Sequence, residues 1–501
     1  MKMRPPWNPC PVLLPACSFR RLLKMSSWHD YPPTTMSEDQ NQPPYASPEL
    51  YGLPSGVTER APGAERRIEA QAKVAGHAVT ELVERFGSPL YVIDEESLRG
   101  AYRRLSSAFR EEWPDTIIGS SVKTNYLSAV QAILRSEGAW GEVVSGFEYR
   151  LCRDLGIPGN EILFNGPWKT DDDIRLAIEE GATINLDGDD ELERVIRHAR
   201  DMGRVVPVGL RLNMQVNYPP WDKFGFKLES GHALEAARLV TAAPELELCG
   251  LHMHVGTYIP DPGFYGRAVE SLIAFGTRLE RELDCTIAHL DIGGGYATRN
   301  TLHDTMLPGE AITATAEEYA AAICGPLRRA ARQFKKKPRL FIEPGRILVD
   351  EAASMITTVR AVKRMAGQQK AALIDCGVHI LPTSWWYDHE LRPVEDKGGA
   401  IEDYRLVGPL CMQIDVVRKS VELPALTAGD LLVIQDVGAY NFSQSMQFIY
   451  MRPNYVLANA SGVELIREAE SDEYVRTPER LPAHLINDET SGSFLAGRDA
   501  R

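Results

Sequence analysis

Between residues 116 and 342, eight short apolar runs alternate with segments of helical periodicity. The runs are residues 116–122, 141–144, 161–164, 183–186, 205–212, 248–254, 287–292 and 339–342. Apolar runs this short read as strands, and the segments between them as helices. Eight strand–helix units within about 230 residues is the arithmetic of an α/β fold of the (β/α)8, TIM-barrel type. A doubly wound open sheet is the alternative that the same pattern allows.

The flanks read differently. Residues 89–94 look like one further strand, residues 95–109 like an amphipathic helix, and residues 68–86 like a helix closed by Gly87 and Pro89. Beyond about Ile347 the alternation stops. Strand-like runs at 371–374, 405–407, 413–417, 430–435 and 454–458 follow without helices between them, which predicts a second, all-β domain. The expected organisation is a barrel over 94–346 and a β-domain from 65–93 plus 347–490. A disordered leader (1–64) and a flexible tail (491–501) complete it. The leader is rich in Pro, Ser and Gln, and prolines interrupt its one short apolar stretch, which disfavours a signal peptide.

A net charge of -14 disfavours nucleic acid or an anionic membrane as partner. No apolar run is long enough to span a bilayer. Cysteines 10, 17, 152, 249, 285, 324, 376 and 411 are scattered, without CxxC or zinc spacing, as suits a reducing cytoplasm.

In a barrel of this type the chemistry gathers at the C-terminal strand ends. Read in order, these ends carry Lys123, then Glu142 with Ser145 and Glu148, Asn165-Gly166, and Asp187. Arg211 with Asn213 follows, then His254 with Gly256 and Thr257, Gly293-Gly294-Gly295, and Glu343 with Gly345 and Arg346. Each fragment alone has an ordinary reading: a solvated strand-end lysine, a tight glycine turn, a Glu–Arg ion pair. His252 and His254 share a strand face, yet no carboxylate spacing on that strand supports a metal, and no metal is expected. Together, one lysine, anion-cradling Gly and Thr segments, a flat imidazole and a carboxylate suit pyridoxal 5'-phosphate better than a metal or a nicotinamide.

Seven motifs then carry a family resemblance. They are Val122-Lys123-Thr124-Asn125, Glu142-Val143-Val144-Ser145-Gly146-Phe147-Glu148, Leu251-His252-Met253-His254-Val255-Gly256-Thr257 and Asp291-Ile292-Gly293-Gly294-Gly295-Tyr296. Glu343-Pro344-Gly345-Arg346, Gly408-Pro409-Leu410-Cys411 and Asp436-Val437-Gly438-Ala439-Tyr440 complete the set. In this order they resemble the fold-type III, PLP-dependent decarboxylases, the group of diaminopimelate and ornithine decarboxylases that shares its barrel with alanine racemase. The resemblance runs from about Pro89 to about Ala458.

The resemblance implies the following roles. Lys123 would form a Schiff base with the cofactor, its amine kept neutral by a cationic, partly desolvated pocket. His254 would stack on the pyridine ring. Glu343 would hold the pyridine nitrogen protonated, so that the ring stabilises the carbanion left by CO2 loss. Thr257, Gly293, Gly294, Gly295, Gly345, Arg346 and Tyr440 would hold the phosphate, with Glu142 and Arg211 beside the cofactor. Cys411, supplied by the other subunit of a homodimer with interfacial sites, would reprotonate Cα. That thiol favours decarboxylation, with a racemase or epimerase as the alternative.

Substrate recognition departs from the family pattern. Met412 stands where an acidic residue follows the cysteine, and Leu381 where diaminopimelate decarboxylases carry an arginine. Trp385-Trp386-Tyr387-Asp388-His389 resembles the Tyr-Asp-His of ornithine decarboxylases, so Tyr387 and Asp388 are expected to meet substrate and Asp388 to accept one cation. Phe448 would line the same pocket. The expected substrate is a small-molecule amino acid with a bulky or less basic side chain, including conjugated or carrier-bound forms. Diaminopimelate, ornithine and lysine remain alternatives.

Overall fold

The structure, a computed structural model, describes residues 68–216, 221–366 and 369–485; the expected leader and tail lie outside them. Eight parallel strands close into a barrel. They are β1 (Thr116–Ser121), β2 (Trp140–Val143), β3 (Ile162–Phe164), β4 (Thr183–Leu186), β5 (Val206–Asn213), β6 (Leu246–Met253), β7 (His289–Asp291) and β8 (Arg339–Ile342). Each pairs with the next, and β8 pairs with β1 to complete the ring. Helices on the outside bury one face of each strand, so the strand sequences are nearly continuous in apolar residues.

Local signals start the barrel helices where they are needed. Asp94 caps Glu95–Glu112 by accepting from the Glu96 and Ser97 backbone N–H groups. Thr170 with Asp173, and Thr315 with Glu318, form reciprocal capping boxes at Asp171–Glu180 and Ala316–Ala330. Toward the C-terminal strand ends the barrel interior turns polar. Glu142, Asn165, Asn185, Arg211, His252, Asp291 and Glu343 are all buried.

The second region is a β-sheet with Leu90–Asp94 in its middle. That strand runs parallel to Asn454–Asn459 and antiparallel to Ala353–Arg364. Lys370–Ile374, Ile401–Val407 and Val416–Pro424 extend one side of the sheet, and Gly462–Arg467 the other. Leu431–Ile434 also pairs with Ala353–Arg364.

Three expectations are corrected here. Residues 68–86 are not one helix: Ala75 and Gly76, both at positive φ, turn a hairpin of Lys73–Val74 with His77–Ala78, and only Val79–Phe86 is helical. The strand expected at 413–417 begins at Val416, because Asp415 ties the preceding turn to the Val378 and Leu410 backbone N–H groups. The long strand Ala353–Arg364 was absent from the expected set. Its first half is buried and its second half exposed, so no single periodicity marks it.

Candidate active site

Lys123 lies in a one-turn 3-10 helix, Val122–Thr124, at the C-terminal end of β1. Its Nζ donates to Glu142 Oε2 at 2.5 Å, and Ser121 Oγ donates to the same oxygen at 2.7 Å. Burial works against the ammonium, but the Glu142 carboxylate, Tyr440 and Glu343 outweigh it and hold Lys123 above the ordinary lysine range. The cationic pocket expected to keep this amine neutral is therefore corrected: the groups around Nζ are acidic, and the unliganded lysine is charged.

Asn165 links the lysine cluster to the barrel centre. Its amide donates to Glu142 Oε1 at 3.1 Å and to Glu343 Oε1, while Asn185 donates to Asn165 Oδ1 at 2.9 Å. On the other side of Glu343, His252 Nε2 lies 3.5 Å from Oε2, and Asp291 completes a buried cluster. Burial and the adjacent Glu343 push Asp291 well above the carboxylate range. Burial opposes ionisation of Glu343 as well, but His252, a hydrogen bond with Asp291 and Lys123 hold Glu343 low. Two acids buried this close together favour holding a single proton between them.

His254 follows β6. Burial and Arg211 lower it to about 3, so its ring is neutral. The ring of Trp221 stacks on it, with centroids 5.4 Å apart and planes within 14°. Arg211 is held by Asp187 at 3.1 Å and lies over Phe224, with its guanidinium 4.4 Å from the ring centroid.

The glycine segments are tight against their neighbours. A Cβ on Gly294 would stand 2.2 Å from the Glu343 carbonyl oxygen, and one on Gly295 (φ 97°) 2.2 Å from that of Gly256. A Cβ on Gly345 would stand 2.2 Å from Thr124 Oγ1. Arg346 sits among the rings of Tyr440, Tyr387 and Tyr258, and its buried Nη1 has no hydrogen-bond partner. Thr257, after Gly256, is exposed. A primary amine beside a buried carboxylate, a neutral imidazole face, a side-chain-free glycine turn and an unsatisfied guanidinium N–H fit an anionic, electrophilic ring such as pyridoxal 5'-phosphate.

The expected substrate residues are only partly brought together. Tyr387 is buried against Tyr258 and under Arg346. Asp388 Oδ1 lies 3.4 Å from both His303 Nε2 and Arg418 Nε, so a substrate cation there would share the carboxylate with an arginine. Among the described residues, no hydrogen bond, ion pair or ring contact joins Cys411, Met412 or Phe448 to the Lys123 cluster within one chain. Cys411 and Phe448 are exposed, as are Trp385 and Trp386. Asn165, Asn185, Asp291, His252 and Trp221 are the site residues to which no role was assigned from sequence. For the first four, the available signal is a polar side chain within or just after an apolar strand run. Trp221 carries no such signal.

Comparisons with known proteins agree with this chemistry. Residues 99–350 match the pyridoxal binding domain of the pyridoxal-dependent decarboxylases. The diaminopimelate decarboxylase of Actinosynnema pretiosum subsp. auranticum is 32% identical over 443 residues, covering 84% of this chain and 96% of the relative. That of Methanothermobacter thermautotrophicus is 28% identical over 445 residues, covering 85% of this chain and 99% of the relative. The crystal structure of the M. jannaschii diaminopimelate decarboxylase with L-lysine superposes with a TM-score of 0.76 at 28% identity, covering 84% of this chain and 98% of that one. A lysine/ornithine decarboxylase from Vibrio vulnificus shares the fold, with a TM-score of 0.65 at 24% identity over 76% of this chain and 97% of that one.

Proposed function

The chain belongs to the fold-type III pyridoxal-dependent decarboxylases and is a PLP-dependent amino-acid carboxy-lyase, and we propose that it acts on an amino acid whose side chain does not end in a free ammonium group. The observation that supports the substrate reading is the Asp388 carboxylate, which already faces the Arg418 guanidinium at 3.4 Å. Met412, in place of an acidic residue, leaves a second acid missing.

In this reading Lys123 is the attachment point of the cofactor, and Glu142 holds its ammonium in the unliganded protein. Bound there, pyridoxal phosphate supplies an electron-withdrawing ring that stabilises the charge left at Cα when CO2 departs. Glu343 would hold the ring nitrogen, and the neutral imidazole of His254 would offer a flat face for the ring to stack on. The backbone of Gly293, Gly294, Gly295 and Gly345, with Thr257, Arg346 and Tyr440, would hold the phosphate. Arg211, fixed by Asp187, borders the ring. Cys411 is exposed, and among the described residues no hydrogen bond or ring contact ties it to this cluster within one chain. We therefore place it at the neighbouring site of a cytoplasmic homodimer, where the partner subunit's Cys411 returns a proton to Cα. Phe448 and Met412 would reach substrate the same way.

A second reading is diaminopimelate itself, the substrate in the names of the relatives at 28–32% identity. The deciding experiment is CO2 release across a panel of diaminopimelate, ornithine, lysine, neutral and aromatic amino acids, and N-acylated and carrier-linked forms. Turnover confined to diaminopimelate or to the free diamines would overturn the first reading.

A further inference from the structure

Glu343 is one of three buried titratable groups that converge at the centre of the barrel. Ligand atoms of His252, Asp291 and Glu343 all lie within 4.8 Å of one another. The strands impose this arrangement: His252 and Asp291 are in-register partners on β6 and β7, and the Glu343 backbone N–H donates to the Gly293 carbonyl at 2.9 Å. Asp291 Oδ1 in turn accepts from the Gly293 N–H at 3.0 Å. One short turn after β7 therefore fixes both acids.

Two buried carboxyl groups whose ligand atoms lie within 4.8 Å of each other resist ionising together, which favours one proton held between them. The surroundings decide which keeps it. Glu343 faces the Asn165 amide, His252 and the Lys123 ammonium. Asp291 faces Glu343 and, farther off, Glu142, with the Asn185 amide at 3.4 Å. The other ionisable groups packed nearby add no charge at neutral pH. Burial holds His289 at about 4 and His254 at about 3, and raises Tyr296 well above its ordinary value.

We infer that Asp291 is a positioning residue that fixes the charge of Glu343: a neutral Asp291 donates a hydrogen bond to Glu343 and leaves Glu343 the anion. This rests on the reading of Glu343 as the partner of the cofactor ring nitrogen. The ring-nitrogen partner must stay anionic across the working pH range, and a permanently protonated neighbour achieves that without adding a second negative charge. The three groups could instead gather a divalent cation, which the same experiment tests.

The test compares Asp291→Asn, Asp291→Leu and Glu343→Gln. Asparagine is the isostere of a protonated aspartate and keeps the donor; leucine does not. Infrared difference spectra of wild type against D291N, taken at neutral pH on cofactor-free and loaded protein, should contain a protonated-carboxyl stretch that D291N lacks. In the loaded protein, the pH profile of the bound-cofactor absorbance should stay near wild type in D291N. In D291L it should move, with kcat falling roughly tenfold and KM little changed. A protonated-carboxyl band untouched by D291N overturns the inference, as do equal shifts in D291N and D291L. So does tight Zn2+ or Mn2+ binding by the cofactor-free protein that D291N removes. The underlying reading fails separately, if E343Q leaves the absorbance profile unchanged while the infrared result holds.

Discussion

Lys123 Nζ and Glu142 Oε2 stand 2.5 Å apart at the barrel mouth, because Glu142 on β2 is the in-register partner of Ser121, two residues before the lysine. The pair stores the amine as an ammonium until the cofactor arrives, and that has kinetic and thermodynamic consequences.

Capture of pyridoxal phosphate by the cofactor-free protein should speed up as pH rises, since only the neutral amine attacks an aldehyde. Glu142→Gln removes the first anion acting on Lys123 and should move that profile to lower pH. The stability effect has a definite sign. A lysine raised in the folded state contributes stability that is complete below its unfolded value and lost as pH rises through the folded value. The contribution is thus intact at neutral pH and fades only on the alkaline side, and E142Q should reduce that alkaline fall. Stopped-flow absorbance and melting temperature against pH measure the two effects.

Gly294→Ala should release the cofactor and weaken the fold. The new methyl would stand 2.2 Å from the Glu343 carbonyl oxygen, which is backbone and cannot swing aside. Overpacking of this kind costs about 1–3 kcal/mol. Gly325→Ala, in the helix Ala316–Ala330, meets only the end of a flexible arginine at 3.6 Å. It should be neutral or stabilising by about 0.5–1 kcal/mol. Denaturant midpoints and retained absorbance after desalting separate the two variants.

The eight barrel strands were legible because burial on both faces leaves each one a compact apolar run, and the strand ends then located Lys123, Glu142, His254 and Glu343 in one rim. Ala353–Arg364 was not legible, because it is a central strand for half its length and an edge for the rest. Charge balance was hidden for another reason. Whether Lys123 is surrounded by cations or anions depends on Glu142 and Glu343, which Asn165 ties together, and what Asp388 meets depends on His303 and Arg418. The chain brings these together only across long sequence separations.

Arg418→Gln should widen the substrate range toward diamino acids. Arg418 is mostly buried beside Asp388, and its removal leaves that carboxylate with His303 alone. A freed acid that can receive an ammonium group contributes about 1.5–3 kcal/mol through a charged hydrogen bond. The ratio of kcat/KM for ornithine to that for a neutral amino acid should therefore rise about tenfold or more. An unchanged ratio would remove Asp388 from substrate recognition.

Cys411 is exposed in a single chain, while Cys152, Cys324 and Cys376 are buried and Cys249 and Cys285 half-buried. If it serves the neighbouring site of a two-fold dimer, Lys123→Ala and Cys411→Ala fall in the same active site when the two variants pair. One site of a mixed dimer then carries both defects and the other carries none. Each variant alone should fail to form the amine product at the wild-type rate. After subunit exchange of equal amounts, half of the dimers are mixed and each holds one intact site, so activity should return to roughly one quarter of wild type. A chain that used its own Cys411 would leave every site with one defect, and no activity would return.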